Sequence, residues 1–210
     1  MNWGQDYDTF RSKTQQIFIF GAYIESMEIW YTLTGDIDKK GVQDSISWIN
    51  GEIYSKPVTR MKFLLASGGG DIGAGVNLYT YLRALPIDVE TIGFGEIDAA
   101  ATLVFLGGKS RIAVEDCQFF FHEGRYTIQD HVAPVHTHEE AISVFRRELH
   151  HMIHIISRET NNDSEVVATM LRKSKIMRAD EAQEFGLVHK IVNVLPLKQQ
   201  EEKGFGFGPK

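Results

Sequence analysis

The segment RMKFLLAS, GGGD, GAGVNLYTYLRAL, closed by Pro86, constrains this chain more than any other. A short apolar run without strict alternation reads as a strand covered on both faces. Three glycines, Gly68 to Gly70, carry it into a helix, and proline stops that helix. The alternation recurs on either side. MEIWYTLTG is rich in β-branched and aromatic residues and reads as a strand. DKKGVQDSISWINGEIYS reads as an amphipathic helix, with Val42, Ile46, Trp48 and Ile49 set to face a core. VETIGFG is a strand, DAAATLVFLGG a small-residue helix closed by Gly107 and Gly108, and SRIAV and CQFFFH two short strands. DSEVVATMLRK is a helix, and ADEAQEFGLVHKIV runs from a helix through a glycine cap into a last strand. This pattern predicts an α/β fold of βαβ units with right-handed crossovers.

The chain has 210 residues, 43% of them hydrophobic, enough for one packed domain and too apolar for disorder throughout. Residues 27–195 are expected to form that domain, behind an aromatic-rich N-terminal extension, 1–26, which includes the strand-like IFIFGAYI. The tail 196–210, PLKQQEEKGFGFGPK, has turn residues without period and is expected to be flexible. No apolar run approaches the roughly 20 residues of a membrane span. The opening MNWGQDYD lacks the positive charge of an export signal, and Cys117 has no partner for a disulfide, so a cytoplasmic protein is expected. A net charge of −6 without a Lys/Arg block argues against nucleic acid as a partner. His138 to Glu159 is the longest helical candidate, about 33 Å at 1.5 Å per residue. Its stripe of Ala141, Phe145, Leu149, Met152 and Ile156 predicts a projecting helix that meets another subunit, hence a homo-oligomer.

Three elements can carry chemistry. Gly68, Gly69 and Gly70 sit at the carboxyl end of a strand, where open α/β sheets place ligands. No Lys-Ser/Thr follows them and no GxGxxG is present, which disfavours a nucleotide; an oxyanion hole is the other use, and a purely structural turn is the bland one. GFGEIDAAATL is a second strand end running into a helix of small residues, but positions 99, 100 and 101 are all alanine and no nucleophile stands there. His122 ends an apolar strand, either as a core histidine or as a general base at the sheet edge. His150 and His154 form an i, i+4 pair, yet HHMIH lacks the glutamate of a zinc-protease helix and no carboxylate or cysteine completes a shell. No metal and no cofactor is expected.

Together these elements resemble the proteolytic subunit of the Clp protease, from about Leu33 to Ile191. LTGDID is similar to that family's first strand and turn. LLASGGGDIGAGVNLYTYL resembles its Ser-Pro-Gly-Gly-Ser segment and the helix after it, with Gly68 in place of proline. IGFGEIDAAATLVFLGGKSRIAVEDCQFFFH resembles the stretch from nucleophile to catalytic histidine, and MRADEAQEFGLVHKIV the closing helix and strand. The resemblance implies a spiral of βαβ units shared with the enoyl-CoA hydratase group, and a serine endopeptidase acting on peptides or unfolded proteins. It implies a ring of subunits and an ATPase unfoldase as partner.

Carried over by position, His122 is the general base, Ala99 holds the place of the nucleophilic serine, and Ser174 that of the acid. Gly69 and Ala100 would supply the oxyanion-hole amides, while Gly68, Gly70 and Asp71 would border the substrate, with Asp71 favouring a basic residue. Two departures follow: no nucleophile, and no carboxylate to orient His122. Asp130 and Asp163 are the carboxylates considered for that role. Ala99 is either an engineered replacement of serine that traps an inactive form or the natural residue of a pseudo-peptidase that binds without cleaving. A crotonase-type acyl-CoA enzyme is the competing reading. It fits SGGGDI but leaves His122 without a role.

Overall fold

The computed structural model describes residues 27–124 and 134–196; the extension 1–26 with IFIFGAYI, the segment 125–133 and the tail from 197 lie outside the described residues. The sheet forms from parallel strands in the order β1 (Met27–Thr34), β2 (Val58–Ser67), β3 (Asp88–Asp98), β4 (Ser110–Val114) and β7 (Lys190–Val192). β3 is long enough to have two successive neighbours. Glu90 to Gly93 pair with Ser110 to Ala113 of β4, and Glu96 to Asp98 pair with β5 (Gln118–Phe120). This branching makes β3 the strand from which the sheet turns, and its last residues lead straight to the candidate site.

Local chemistry sets the helices. Asp38 caps α1 (Lys39–Ser55), accepting the Gly41 amide hydrogen at 2.6 Å, and Asp71 caps α2 (Ile72–Ala84), accepting that of Ala74 at 2.6 Å. Such caps contribute about 1 kcal/mol each. α3 (Ala100–Leu106) is wholly buried. Phe63, Leu65, Leu78, Phe105 and Phe119 fill the core between sheet and helices, all without exposure. Val42 and Ile49 join it from α1, whereas Trp48 stays 39% exposed and stacks on Tyr31 at 5.0 Å instead. On the other face Leu64, Ile92 and Ile112 form a smaller cluster.

The long helix, α4 (Val135–Thr160), exceeds the expected span at both ends. Its stripe is not left open as the sequence reading required. Met152 and Ile156 are 1% and 0% exposed, and Phe145 and Leu149 are half-buried against the same core. The carboxyl-terminal half is held by Glu159, which accepts from Tyr79 at 2.5 Å and pairs with Arg111 at 3.8 Å. Arg111 in turn donates to the carbonyls of Glu159, Gly186 and Leu187. Only the first turns keep large exposed apolar side chains, Val135 and Val144. α5 (Ser164–Arg172), β6 (Ile176–Arg178) and α6 (Ala179–Glu184) complete the chain, with β6 antiparallel to β5. β6 has three residues, too few for a period to show in the sequence. No helix among the described residues is long and apolar enough to cross a membrane.

Candidate active site

Ala99 links β3 to α3 with φ 43° and ψ −114°, outside the regions open to L-residues. Its amide donates to Phe120 O at 2.9 Å, and its carbonyl accepts from Thr102 at 3.0 Å, so both sides of the turn are pinned. The neighbouring glycine loop fits against it. A Cβ on Gly69, where φ is +90°, would meet Asp98 O at 2.7 Å and the Ala99 Cβ at 3.2 Å. A Cβ on Gly70 would fall 2.4 Å from Ile37 O. The loop is fastened by Ile37, whose amide donates to Gly69 O at 2.7 Å and whose carbonyl accepts from Asp71 at 2.8 Å.

A cavity of about 880 Å³ opens over this turn. Six of the eight residues singled out by sequence line it: Gly68, Gly70, Asp71, Ala99, His122 and Ser174. Gly69 and Ala100 are buried behind them. The amides do not divide as expected. Gly69 N–H donates to Ser67 Oγ at 3.2 Å, while those of Gly70 and Ala100 have no acceptor among the described residues. Among the described residues, Gly70 and Ala100 are therefore the amides left open, and that of Gly69 is held by Ser67.

His122 follows β5, half-buried, with its ring 4.9 Å from that of Phe120. Its Nδ1 accepts the Gly124 amide hydrogen at 3.0 Å. A neutral imidazole held this way carries its proton on Nε2, the reverse of a base whose Nδ1–H faces an acid. Ser174 reaches the cavity because β6 pairs with β5 and Phe121 N–H donates to Lys175 O at 2.9 Å. Asp163 caps α5, accepting the Glu165 amide hydrogen at 2.7 Å, and Asp130 lies outside the described residues.

Two groups that sequence reasoning passed over border the site. Glu148 of α4 lines the cavity, and its Oε1 and the Asp71 Oδ1 lie 3.3 and 3.2 Å from the point a Cβ on Gly73 would occupy, so the two carboxylates are neighbours. Asp98 precedes Ala99. Burial and the charge of Glu96 hold its carboxyl above the ordinary value, and the His122 charge acts in the opposite sense. Strand alternation could have pointed to it, since Ile97 must face the core and Asp98 the other side. Cys117, the lone thiol, is buried and pushed up to about 12, chiefly by burial, so it offers no thiolate at neutral pH. His150 and His154 are exposed on α4, and no cluster of three metal-ligating side chains occurs among the described residues.

A family model described as Clp protease matches residues 19–194. The chain is 26% identical over 188 residues to the ATP-dependent Clp protease proteolytic subunit 2 of Treponema pallidum (strain Nichols), covering 86% of this chain and 89% of that one. Its fold is similar to that of a ClpP1 mutant from Listeria monocytogenes, with a TM-score of 0.69 and 16% identity over 79% of this chain and 91% of the other.

Proposed function

We propose, for a chain that belongs to the Clp protease family, that it is a serine-endopeptidase-type subunit with a peptide cleft in place and no nucleophile. The observation that carries this reading is the Ala99 turn. A non-glycine residue held at φ 43° between strand and helix, at the mouth of the cavity and beside two amides with no acceptor among the described residues, is what a nucleophile position needs. Alanine there has no oxygen with which to attack a carbonyl, so the chain binds peptide without forming an acyl-enzyme. In the reading, His122 is the base, Gly70 and Ala100 face the oxyanion, and Ser174 takes the acid's place without its charge. Peptide lies along the edge from Gly68 to Asp71 as an added strand. The neighbouring carboxylates of Asp71 and Glu148 favour a basic side chain there.

Assembly into a homo-oligomeric ring in the cytoplasm, fed by an ATPase unfoldase, belongs to the same proposal. It rests on the family, because the α4 stripe is largely covered within the chain. The test is labelling by a fluorophosphonate probe, on protein that light scattering shows to be larger than the 23.8 kDa chain. The chain as it stands is expected to stay unlabelled, and Ala99→Ser to label through His122. Loss of a triad serine costs on the order of a million-fold in turnover. Substituting His122 by alanine in that form is expected to slow labelling sharply.

A second reading has two observations in its favour: the Gly124 amide occupies His122 Nδ1, and no acid stands at Ser174. On that reading the chain is a natural pseudo-peptidase, and an assembled, folded Ala99→Ser form remains unlabelled.

A further inference from the structure

Asp98 stands one residue before the nucleophile position and has no part in the reading above. β3 and β5 run parallel, with Ile97 opposite Phe119 and Asp98 opposite Phe120. Ile97 and Phe119 are fully buried, so alternation turns Asp98 and Phe120 to the other face, where both are half-buried. The His122 ring lies against that of Phe120, which puts the imidazole on the same face. The His122 charge also reaches Asp98, lowering its carboxyl against the opposing effects of burial and Glu96. Four other charged side chains border the cavity with His122: Asp71, Glu123, Glu148 and Arg172. Arg172 is drawn off by Glu165 at 2.6 Å, and Asp71 is committed to capping α2. None of the four is carried by β3, the strand that leads into Ala99.

We propose that Asp98 is the positioning residue of His122, a carboxylate on the shared sheet face that stabilises the charged imidazole in the role for which Ser174 lacks the charge. The pairing acts through space. His122 makes no ion pair within contact distance among the described residues, and a half-buried sheet face screens less than open water. The proposal rests on the peptidase reading, because stabilising the imidazolium matters only where His122 accepts a proton.

The experiment follows fluorophosphonate labelling of Ala99→Ser against pH. Adding Asp98→Asn is expected to slow labelling about tenfold and to move the acidic limb of the profile to lower pH, since imidazolium forms less readily without the carboxylate. Adding Ser174→Asp as well is expected to recover the rate. A limb that stays in place, or a loss that is uniform across pH, overturns the proposal and leaves the peptidase reading standing. If Ala99→Ser itself does not label, the peptidase reading fails on its own. The pairing is then read in the chain as it stands, from the carboxyl carbon resonance of Asp98. His122→Gln is expected to shift the Asp98 titration to higher pH, and an unchanged titration overturns the pairing.

Discussion

Two residues that line the cavity, Ala99 and Ser174, share an uncommon backbone: φ is 43° at one and 50° at the other. Their causes differ. Ser174 follows the C-cap of α5, its amide donating to Leu171 O at 3.1 Å while Lys175 N–H donates to Met170 O at 3.2 Å. That is a Schellman ending, and a left-handed residue there follows from how helices stop. No such rule covers Ala99, whose ψ of −114° lies far from the left-handed helical well. Its conformation persists because the surroundings over-determine it: the Phe120 carbonyl on its amide, Gly69 against its Cβ, and the buried helix that begins at the next residue. The nucleophile wall is thus specified by main chain even without its nucleophile. The acid wall is an ordinary helix end that shows no trace of an acid.

The largest test of that contrast is made at the glycine loop. Gly69→Ala forces a methyl to within 2.7 Å of Asp98 O at φ +90°, and is expected to cost about 3 kcal/mol in denaturant unfolding. Gly68→Ala, one residue earlier, meets nothing within 4 Å and is expected to change stability by less than about 0.5 kcal/mol. Equal costs at the two glycines would show that the loop yields, and that Ala99 is not held by it.

A smaller effect separates Ala99 from Ser174 directly. Relief of strain at Ala99 is on the order of 2 kcal/mol, against about 0.7 kcal/mol for the freedom glycine adds to the unfolded chain. Ala99→Gly is therefore expected to stabilise by about 1 kcal/mol. Ser174→Gly removes only the milder left-handed penalty, and the two terms nearly cancel. Thermal unfolding of the two variants checks the difference, and a Ser174→Gly gain equal to that of Ala99→Gly would remove the distinction.

What the sequence disclosed follows the same division. RMKFLLAS, the glycines and GAGVNLYTYLRAL announced β2, the turn and α2, because a buried strand, φ-permissive residues and a helix stop each leave a local mark. His122 and Ala99 could be placed together because strand ends in a parallel sheet share an edge. The α4 stripe was visible, but what covers it was not. Whether Met152 and Ile156 meet their own core or another subunit depends on tertiary packing that periodicity does not encode. β6 was invisible at three residues, and with it the reason Ser174 comes near His122. Asp98 was overlooked because its meaning lies across the sheet, opposite Phe120, rather than along the chain.

The smallest effect concerns Asp98 and sets function against stability. Burial and Glu96 keep its carboxyl above the ordinary 3.8, so the folded state holds the proton more readily than the unfolded chain does. Stability therefore falls as pH rises from 3.8 through the raised value, and above it the penalty is present in full. Asparagine has no proton to lose and escapes that penalty. Asp98→Asn is expected to raise Tm slightly at neutral pH, by less than the gain at Ala99→Gly, and to match the parent at about pH 3, where both side chains are neutral. The nearby His122 charge acts against that gain. Such a gain would mark Asp98 as a carboxylate kept on the strand of the nucleophile position for its charge. If Asp98→Asn instead lowers Tm at neutral pH, the carboxylate is a structural contact of β3, and its tie to His122 loses that support.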